Sequence, residues 1–261
     1  MAWSEIDQLI RAAEQSGGKV GVALTASSGE RFDHRSDRRF RAASTVKIPI
    51  MVEVFRQIEN GKQSLTEPYV LRDEDRAPGS GVLLHLHAGL ELTLADLVYL
   101  MISISDNTAT NVLIELFGMD NINRTMGDLG MGQSTLGRLM KGRPAIENEQ
   151  ENWATPGDYA SLMEAILNQR AAQPSSCDAM TAMLEKQHCT NRISRYLPPD
   201  ARWGSKTGQI AGVTNDVGFV MTERGFLVIS AFCEALPHEH VGEKFIGDIT
   251  RAGLKITGDR C

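Results

Sequence analysis

The sequence predicts a mixed α and β (α+β) fold of two lobes: an antiparallel sheet flanked by terminal helices, and an all-helical lobe, with a cleft between them. Three observations predict it. Strand-like runs fall near the two ends of the chain, at residues 20–24 and again at 216–232; helical periodicity fills most of residues 44–197; and helix-like segments open and close the sequence. One sheet built from both ends, with the helical stretch as an insert, satisfies all three. The 261 residues suffice for this plan. Residues 1–43 and 198–261 are assigned to the sheet lobe and 44–197 to the helical lobe, together one structural unit.

The first helix is expected to start at Ser4 as its N-cap, carry Ile6, Leu9, Ile10 and Ala13 on one face, and end at Gly17-Gly18. Val20-Gly21-Val22-Ala23-Leu24 is a short apolar run, hence a strand, and Ser27-Ser28-Gly29 is a turn into a hairpin return at residues 30–34. Ile48, Ile50, Met51, Val52, Val54, Phe55 and Ile58 then read as a buried helix. Proline is tolerated only in a helix's first turn, so Pro49 places the helix start at or just after Ser44. Two further helical patterns, Leu94-Leu97-Val98-Met101 and Val112-Leu113-Ile114-Leu116, are separated by Ser105-Asp106-Asn107, and another carries Ala160, Met163, Ile166 and Leu167. Residues 203–208 read as a strand with one free edge, followed by a turn at 209–212. A hairpin of 216–221 and 226–232 about Glu223-Arg224-Gly225 comes next, then a last helix over 239–254.

A formal net charge of −6 with no run of lysine and arginine argues against a nucleic-acid footprint or an anionic membrane surface, and favours a small-molecule or peptide-like substrate. The first residues have no basic and apolar leader pattern and no later stretch is a membrane span. The chain as it stands reads as cytoplasmic, or alternatively as an exported protein whose signal peptide has been removed. A monomer is expected. Cys177, Cys189, Cys233 and Cys261 show neither C-x-x-C nor zinc spacing and are expected as free thiols, with Cys261 exposed. His85-Leu86-His87 and His238-Glu239-His240 lack a third ligand at suitable spacing, so no metal is assigned. No G-x-S-x-G elbow surrounds Ser44, which argues against a Ser-His-Asp triad.

Chemistry concentrates in three strings in order: Ser44-Thr45-Val46-Lys47, Ser105-Asp106-Asn107 and Lys206-Thr207-Gly208. Together they form a three-part signature of acyl-serine enzymes. Lys47 lies one helical turn beyond Ser44, so its amine is expected to reach the Ser44 hydroxyl. It can serve as a base only if burial and positive neighbours, Lys206 and the helix terminus, depress its pKa. Ser105 is assigned to relay a proton to a leaving nitrogen, and Asn107 to bind Lys47 and an acylamino group. The alternative for this string is a helix N-cap, with Asp106 structural under either reading. Lys206 and Thr207 are assigned to a substrate carboxylate and Gly208 to a close backbone approach on an edge strand that can pair a peptide-like substrate. The backbone N–H groups of Ser44 and Gln209 are assigned to an oxyanion hole. Catalytic residues are thus Ser44, Lys47, Ser105, Asn107 and Lys206, and substrate-binding residues Thr207, Gly208 and Gln209, with no cofactor.

With these strings in register, the chain resembles the class A β-lactamases within the penicillin-recognising serine enzymes. The resemblance extends to Arg41-Ala42-Ala43, Thr93-Leu94 with Leu97, Thr108-Ala109 with Asn111, Thr155-Pro156, and Asn215-Asp216-Val217-Gly218. It implies an acyl-enzyme on Ser44, no metal or organic cofactor, and a β-lactam, acyl-D-alanyl peptide or ester substrate. One loop departs from the family pattern. Where the family has its deacylating glutamate, after Leu136-Gly137-Arg138-Leu139, this chain has Met140; a water-holding asparagine is replaced by Pro144, and a loop-anchoring aspartate by Asn152. Glu147, Glu149 or Glu151 could supply a shifted carboxylate, or Glu151 could pair with Arg138 to pin the loop. Without a base, acylation would survive and hydrolysis would slow. That leaves three readings open: a β-lactamase with slow deacylation, a D-alanyl-D-alanine carboxypeptidase or carboxylesterase, and a covalent β-lactam sensor.

Overall fold

The computed structural model describes residues 2–61 and 63–257, so Cys261 lies outside the described residues. Helix α1 (Ala2–Gln15) leads into β1 (Lys19–Ala26), β2 (Arg31–His34) and a short β3 (Phe40–Arg41). A 3₁₀ turn, Ala43–Val46, runs into α2 (Lys47–Glu59); β4 (Pro68–Val70) and β5 (Glu91–Thr93) form a small ribbon before α3 (Leu94–Ser103), α4 (Asn107–Phe117) and α5 (Met119–Asp128). After a long loop come β6 (Trp153–Ala154), α6 (Pro156–Leu167) and α7 (Pro174–Leu184), then β7 (Trp203–Ile210), β8 (Val213–Thr222), β9 (Gly225–Glu234) and α8 (Glu239–Thr257).

Strands from both ends of the chain join one antiparallel sheet in the order β2-β1-β9-β8-β7, which leaves β7 at an edge. The sheet is covered on both faces. Val22, Leu24 and Ile229 pack with Ile6, Ile10, Phe245 and Ile249 of the terminal helices, while Ala23, Val217 and Phe232 pack towards α6 and the helical core. Double burial is why residues 20–24 appear as a continuous apolar run rather than an alternating one. Phe232 joins the layers, with ring centroids 5.7 Å from Tyr159 on α6 and 6.0 Å from Phe40 on β3. Phe232→Ala is expected to cost about 3–5 kcal/mol, seen as a lower urea midpoint at unchanged slope.

Local chemistry fixes the starts of two helices that flank the site. Thr93 and Asp96 form a reciprocal capping box on α3, and the Thr155 side chain accepts from the Asp158 N–H ahead of Pro156 at the first position of α6. Two expectations need correction. Helix α1 already includes Ala2, so Ser4 is inside the helix and not its cap. Strand β7 continues through Ile210, so the turn is confined to Ala211 and Gly212 rather than starting at Gln209. Among the described residues no helix is long and apolar enough to cross a membrane.

Candidate active site

Ser44 sits in the 3₁₀ turn immediately before α2, after Ala43, whose φ of +47° is left-handed. A non-glycine residue held there stores strain, and such strain collects at working sites. The turn is held by its own bonds and by the sheet. Thr45 donates its N–H and its hydroxyl to the Ala42 carbonyl, at 3.2 and 2.8 Å, and Asn215 Nδ2 on β8 donates to the carbonyls of Arg41 (2.8 Å) and Ala42 (3.3 Å). The close approach at Gly208 is to this same turn, since a Cβ there would lie 2.8 Å from the Ala42 carbonyl oxygen and 3.1 Å from Thr45 Cγ2. Glycine therefore lets the edge strand press against the nucleophile turn.

Lys47, the first residue of α2, is fully buried. Its ammonium donates to the Ser105 carbonyl (2.7 Å), Ser105 Oγ (3.0 Å) and Asn107 Oδ1 (2.8 Å). Ser44 is not among these partners, so the contact expected from the three-residue spacing is replaced by one to Ser105. Burial first, and then the charge of Lys206, hold the Lys47 pKa well below the usual lysine range, with Asp106 opposing. A neutral amine has two N–H bonds and a lone pair. It would keep donating to the Ser105 carbonyl and Asn107 Oδ1, which only accept, and would present the lone pair to a hydroxyl.

The second string divides between the two roles expected of it. Asp106 is the N-cap of α4, accepting from the Ala109 N–H at 2.9 Å, and its other oxygen accepts from the N–H groups of Val82 (2.7 Å) and Leu83 (2.9 Å). Ser105, at φ +61°, and Asn107 flank the cap and turn to Lys47. Asn107 Nδ2 donates to the Pro78 carbonyl at 2.8 Å, which fixes the amide orientation.

On β7, Lys206 is fully buried and donates to the Thr207 carbonyl at 2.8 Å. Burial, reinforced by Arg192 and opposed by Asp216, lowers its pKa to about 7. Thr207 and Gln209 line a groove of about 500 Å³ that also reaches Ser44, Ser105 and Arg192. Arg192 is the residue that sequence reasoning missed. Its buried guanidinium donates to the carbonyls of Asn215 (2.7 Å) and Gly208 (3.1 Å) and to Gln209 Oε1. It precedes a 3₁₀ turn at Ile193–Tyr196 in an irregular segment, where no periodicity marks it.

The loop opposite β7 carries Met140. Its backbone N–H donates to Asn111 Oδ1 at 2.7 Å and its carbonyl accepts from Asn111 Nδ2 at 3.0 Å, while its buried side chain lines a pit with Ser44 and Asn107. Arg138 donates to Glu151 Oε1 through Nε (3.1 Å) and Nη2 (2.9 Å), and the other Glu151 oxygen accepts from the Ala145 N–H at 2.9 Å. Glu151 thus pins the loop. Glu149 is clasped by Arg143 (2.7 Å) and Lys141 (2.6 Å), which hold its carboxyl far below the usual range, and Glu147 is exposed. Asn152 takes over the anchoring expected of an aspartate, its Oδ1 accepting from the N–H groups of Gly137 (2.8 Å) and Arg138 (2.9 Å).

A model of the beta-lactamase enzyme family matches residues 1–256. A crystal structure of a beta-lactamase from Sphaerobacter thermophilus superposes with a TM-score of 0.96 at 59% identity, covering 98% of this chain and 97% of that one. A beta-lactamase of Citrobacter koseri is 30% identical over 271 residues, 97% of this chain and 87% of the relative. A mutant of PBP-A, solved as an acyl-enzyme complex with penicillin G, matches with a TM-score of 0.85 at 25% identity, covering 98% of this chain and 96% of that one.

Proposed function

Since the chain belongs to the beta-lactamase enzyme family, as a class A β-lactamase-like serine hydrolase, we propose that it opens β-lactam amides through an acyl-enzyme on Ser44 that hydrolyses slowly. The observation that carries the second half is Met140, a thioether in the wall beside Ser44 where a carboxylate would be needed. In acylation, neutral Lys47, its lone pair turned from the Ser105 hydroxyl to that of Ser44, takes the Ser44 proton as Oγ attacks the amide carbonyl carbon. The backbone N–H groups of Ser44 and Gln209 stabilise the oxyanion. The proton then passes through Ser105 Oγ, 3.0 Å from Lys47 Nζ, to the ring nitrogen as the C–N bond breaks. Lys206, Thr207 and Arg192 attract the substrate carboxylate to the groove side.

Hydrolysis of the ester needs a second base to deprotonate water. Met140 offers none; Glu149 and Glu151 are consumed in ion pairs with Arg143, Lys141 and Arg138. Stopped-flow mixing with a chromogenic cephalosporin is expected to give a burst equal to the enzyme concentration followed by a slow steady rate. Linear colour release with no burst would contradict slow deacylation. The same Met140 favours a second reading, a D-alanyl-D-alanine carboxypeptidase or carboxylesterase on this site. Faster turnover of an acyl-D-Ala-D-Ala peptide or a simple ester than of a penicillin would establish it, and the opposite ranking would remove it.

The two lysines impose opposite demands on pH. Lys47 must lose its proton to act as base, so acylation rises with pH; Lys206 must keep its proton to attract a carboxylate, so the second-order acylation constant falls above its pKa of about 7. In Lys206→Arg the charge persists at every working pH, and the falling limb is expected to disappear. A falling limb unmoved by that substitution would assign it elsewhere.

A further inference from the structure

Asp216 on β8 is a buried carboxylate with no part in the proton transfers of acylation. It stands among cations. In the register of β7 and β8 it lies opposite Thr207, one position from Lys206. The buried Arg192 guanidinium donates to the carbonyl of the residue before it, Asn215, at 2.7 Å, and the Ile193 N–H donates to Asp216 Oδ2 at 3.2 Å. Asp216 Oδ1 and Arg192 Nε are both buried without a hydrogen-bond partner among the described residues. Carboxylate and guanidinium are thus neighbours that do not bond directly.

Asp216 and Lys206 do not touch either. Lys206 pairs with Val217, which packs towards the helical core, whereas Asp216 pairs with Ala231, which packs with the terminal helices. The two charges therefore project from opposite faces of the sheet. Asp216 acts on Lys206 through its charge, across the sheet, and not through a hydrogen bond. The other titratable groups that bear on Lys206 are Arg192 and Cys189 from the segment before the 3₁₀ turn, and Lys47 from α2. Of these groups Asp216 alone supplies a negative charge, since burial holds the Cys189 thiol up and protonated. The nearby acids of the helices are engaged elsewhere: Glu243 on α8 accepts from Asn191 Nδ2, and Asp106 caps α4 and faces Lys47. Burial pushes the Asp216 carboxyl up, opposed first by Arg192 and then by the Ile193 N–H. Arginine cannot shed its proton. Loss of the one anion is therefore answered at Lys206, whose pKa of about 7 leaves little margin.

We propose that Asp216 is a positioning residue that acts through Lys206, as the counter-charge that keeps this lysine cationic and able to hold a substrate carboxylate at neutral pH. The proposal rests on the reading that Lys206 attracts that carboxylate. Its test is the pH profile of the second-order acylation constant of a penicillin, followed by intact mass, in the wild type, Asp216→Asn, Lys206→Arg and the double variant. Asparagine keeps an acceptor for the Ile193 N–H and removes the charge. The falling limb of Asp216→Asn is expected about one pH unit below that of the wild type, the low end of what a neighbouring opposite charge does. In the Lys206→Arg background the same substitution is expected to restore no falling limb, because the guanidinium stays charged. A merely structural loss would lower the whole profile and leave the limb in place. A limb at its wild-type position or at higher pH in folded Asp216→Asn overturns the proposal. A falling limb that persists in Lys206→Arg belongs to another group, and removes the reading beneath the proposal as well. Asp216→Ser, which is smaller and also accepts from the Ile193 N–H, is read in the same way where the asparagine variant does not fold.

Discussion

Met140→Glu is expected to speed hydrolysis of the acyl-enzyme by about 10²–10⁴-fold, the usual reach of a positioned general base, and to leave acylation within about twofold. The position is prepared for a carboxylate. Its backbone is fixed on both sides by Asn111, and Asn152 Nδ2, which now meets the Met140 sulfur at 3.9 Å, would donate to a carboxylate oxygen. Glutamate is also smaller overall than methionine, and the pit of about 60 Å³ exceeds the roughly 10–15 Å³ that a cavity needs on the same measure to hold one water. The measurement is single-turnover decay of a penicilloyl adduct. A variant that acylates normally but decays at the wild-type rate would show that the missing base is not what limits hydrolysis.

The second large effect concerns Lys47. Lys47→Ala is expected to slow acylation of Ser44 by about 10²–10⁴-fold, because the group that takes the Ser44 proton and passes it to Ser105 is removed. A purely structural loss is separable. Removing Lys47 leaves the Ser105 carbonyl and Asn107 Oδ1 without their donor, which lowers stability, yet a destabilised protein that remains folded would keep the wild-type pH profile. Loss of the base instead abolishes the rising limb of acylation with pH. A slow variant that retains that limb would move the base role to another group.

Elements with a strong period or punctuation could be located from sequence alone: β1, the hairpin of β8 and β9 about Glu223-Arg224, α8, and the start of α2 set by Pro49. The missed strands carry too few residues to show a period. The pairing of β3 with β6 involves only Phe40 with Ala154 and Arg41 with Trp153, and β4 and β5 pair over three residues each. At the site, the three ordered strings located Ser44, Lys47, Ser105, Asn107 and β7. Their spacing along the chain could not show that Lys47 turns to Ser105 rather than Ser44, since that depends on how Asp106 caps α4 and orients its neighbours. Arg192 lies in an irregular segment and joins the site only through tertiary contacts with Gly208, Gln209 and Asn215. The pairing of Arg138 with Glu151 is one of the alternatives that the sequence leaves open, and it follows from both residues bordering the same loop interior.

The most direct measurement is intact mass spectrometry of the protein mixed with a chromogenic cephalosporin, sampled within seconds and again after an hour, with Ser44→Ala as control. A mass increase that forms at once, persists, and is absent from Ser44→Ala is the expected result for an acyl-enzyme on Ser44 with no deacylating base. An unmodified mass at both times during continuous colour release would contradict slow deacylation, and an adduct that survives in Ser44→Ala would contradict the nucleophile itself.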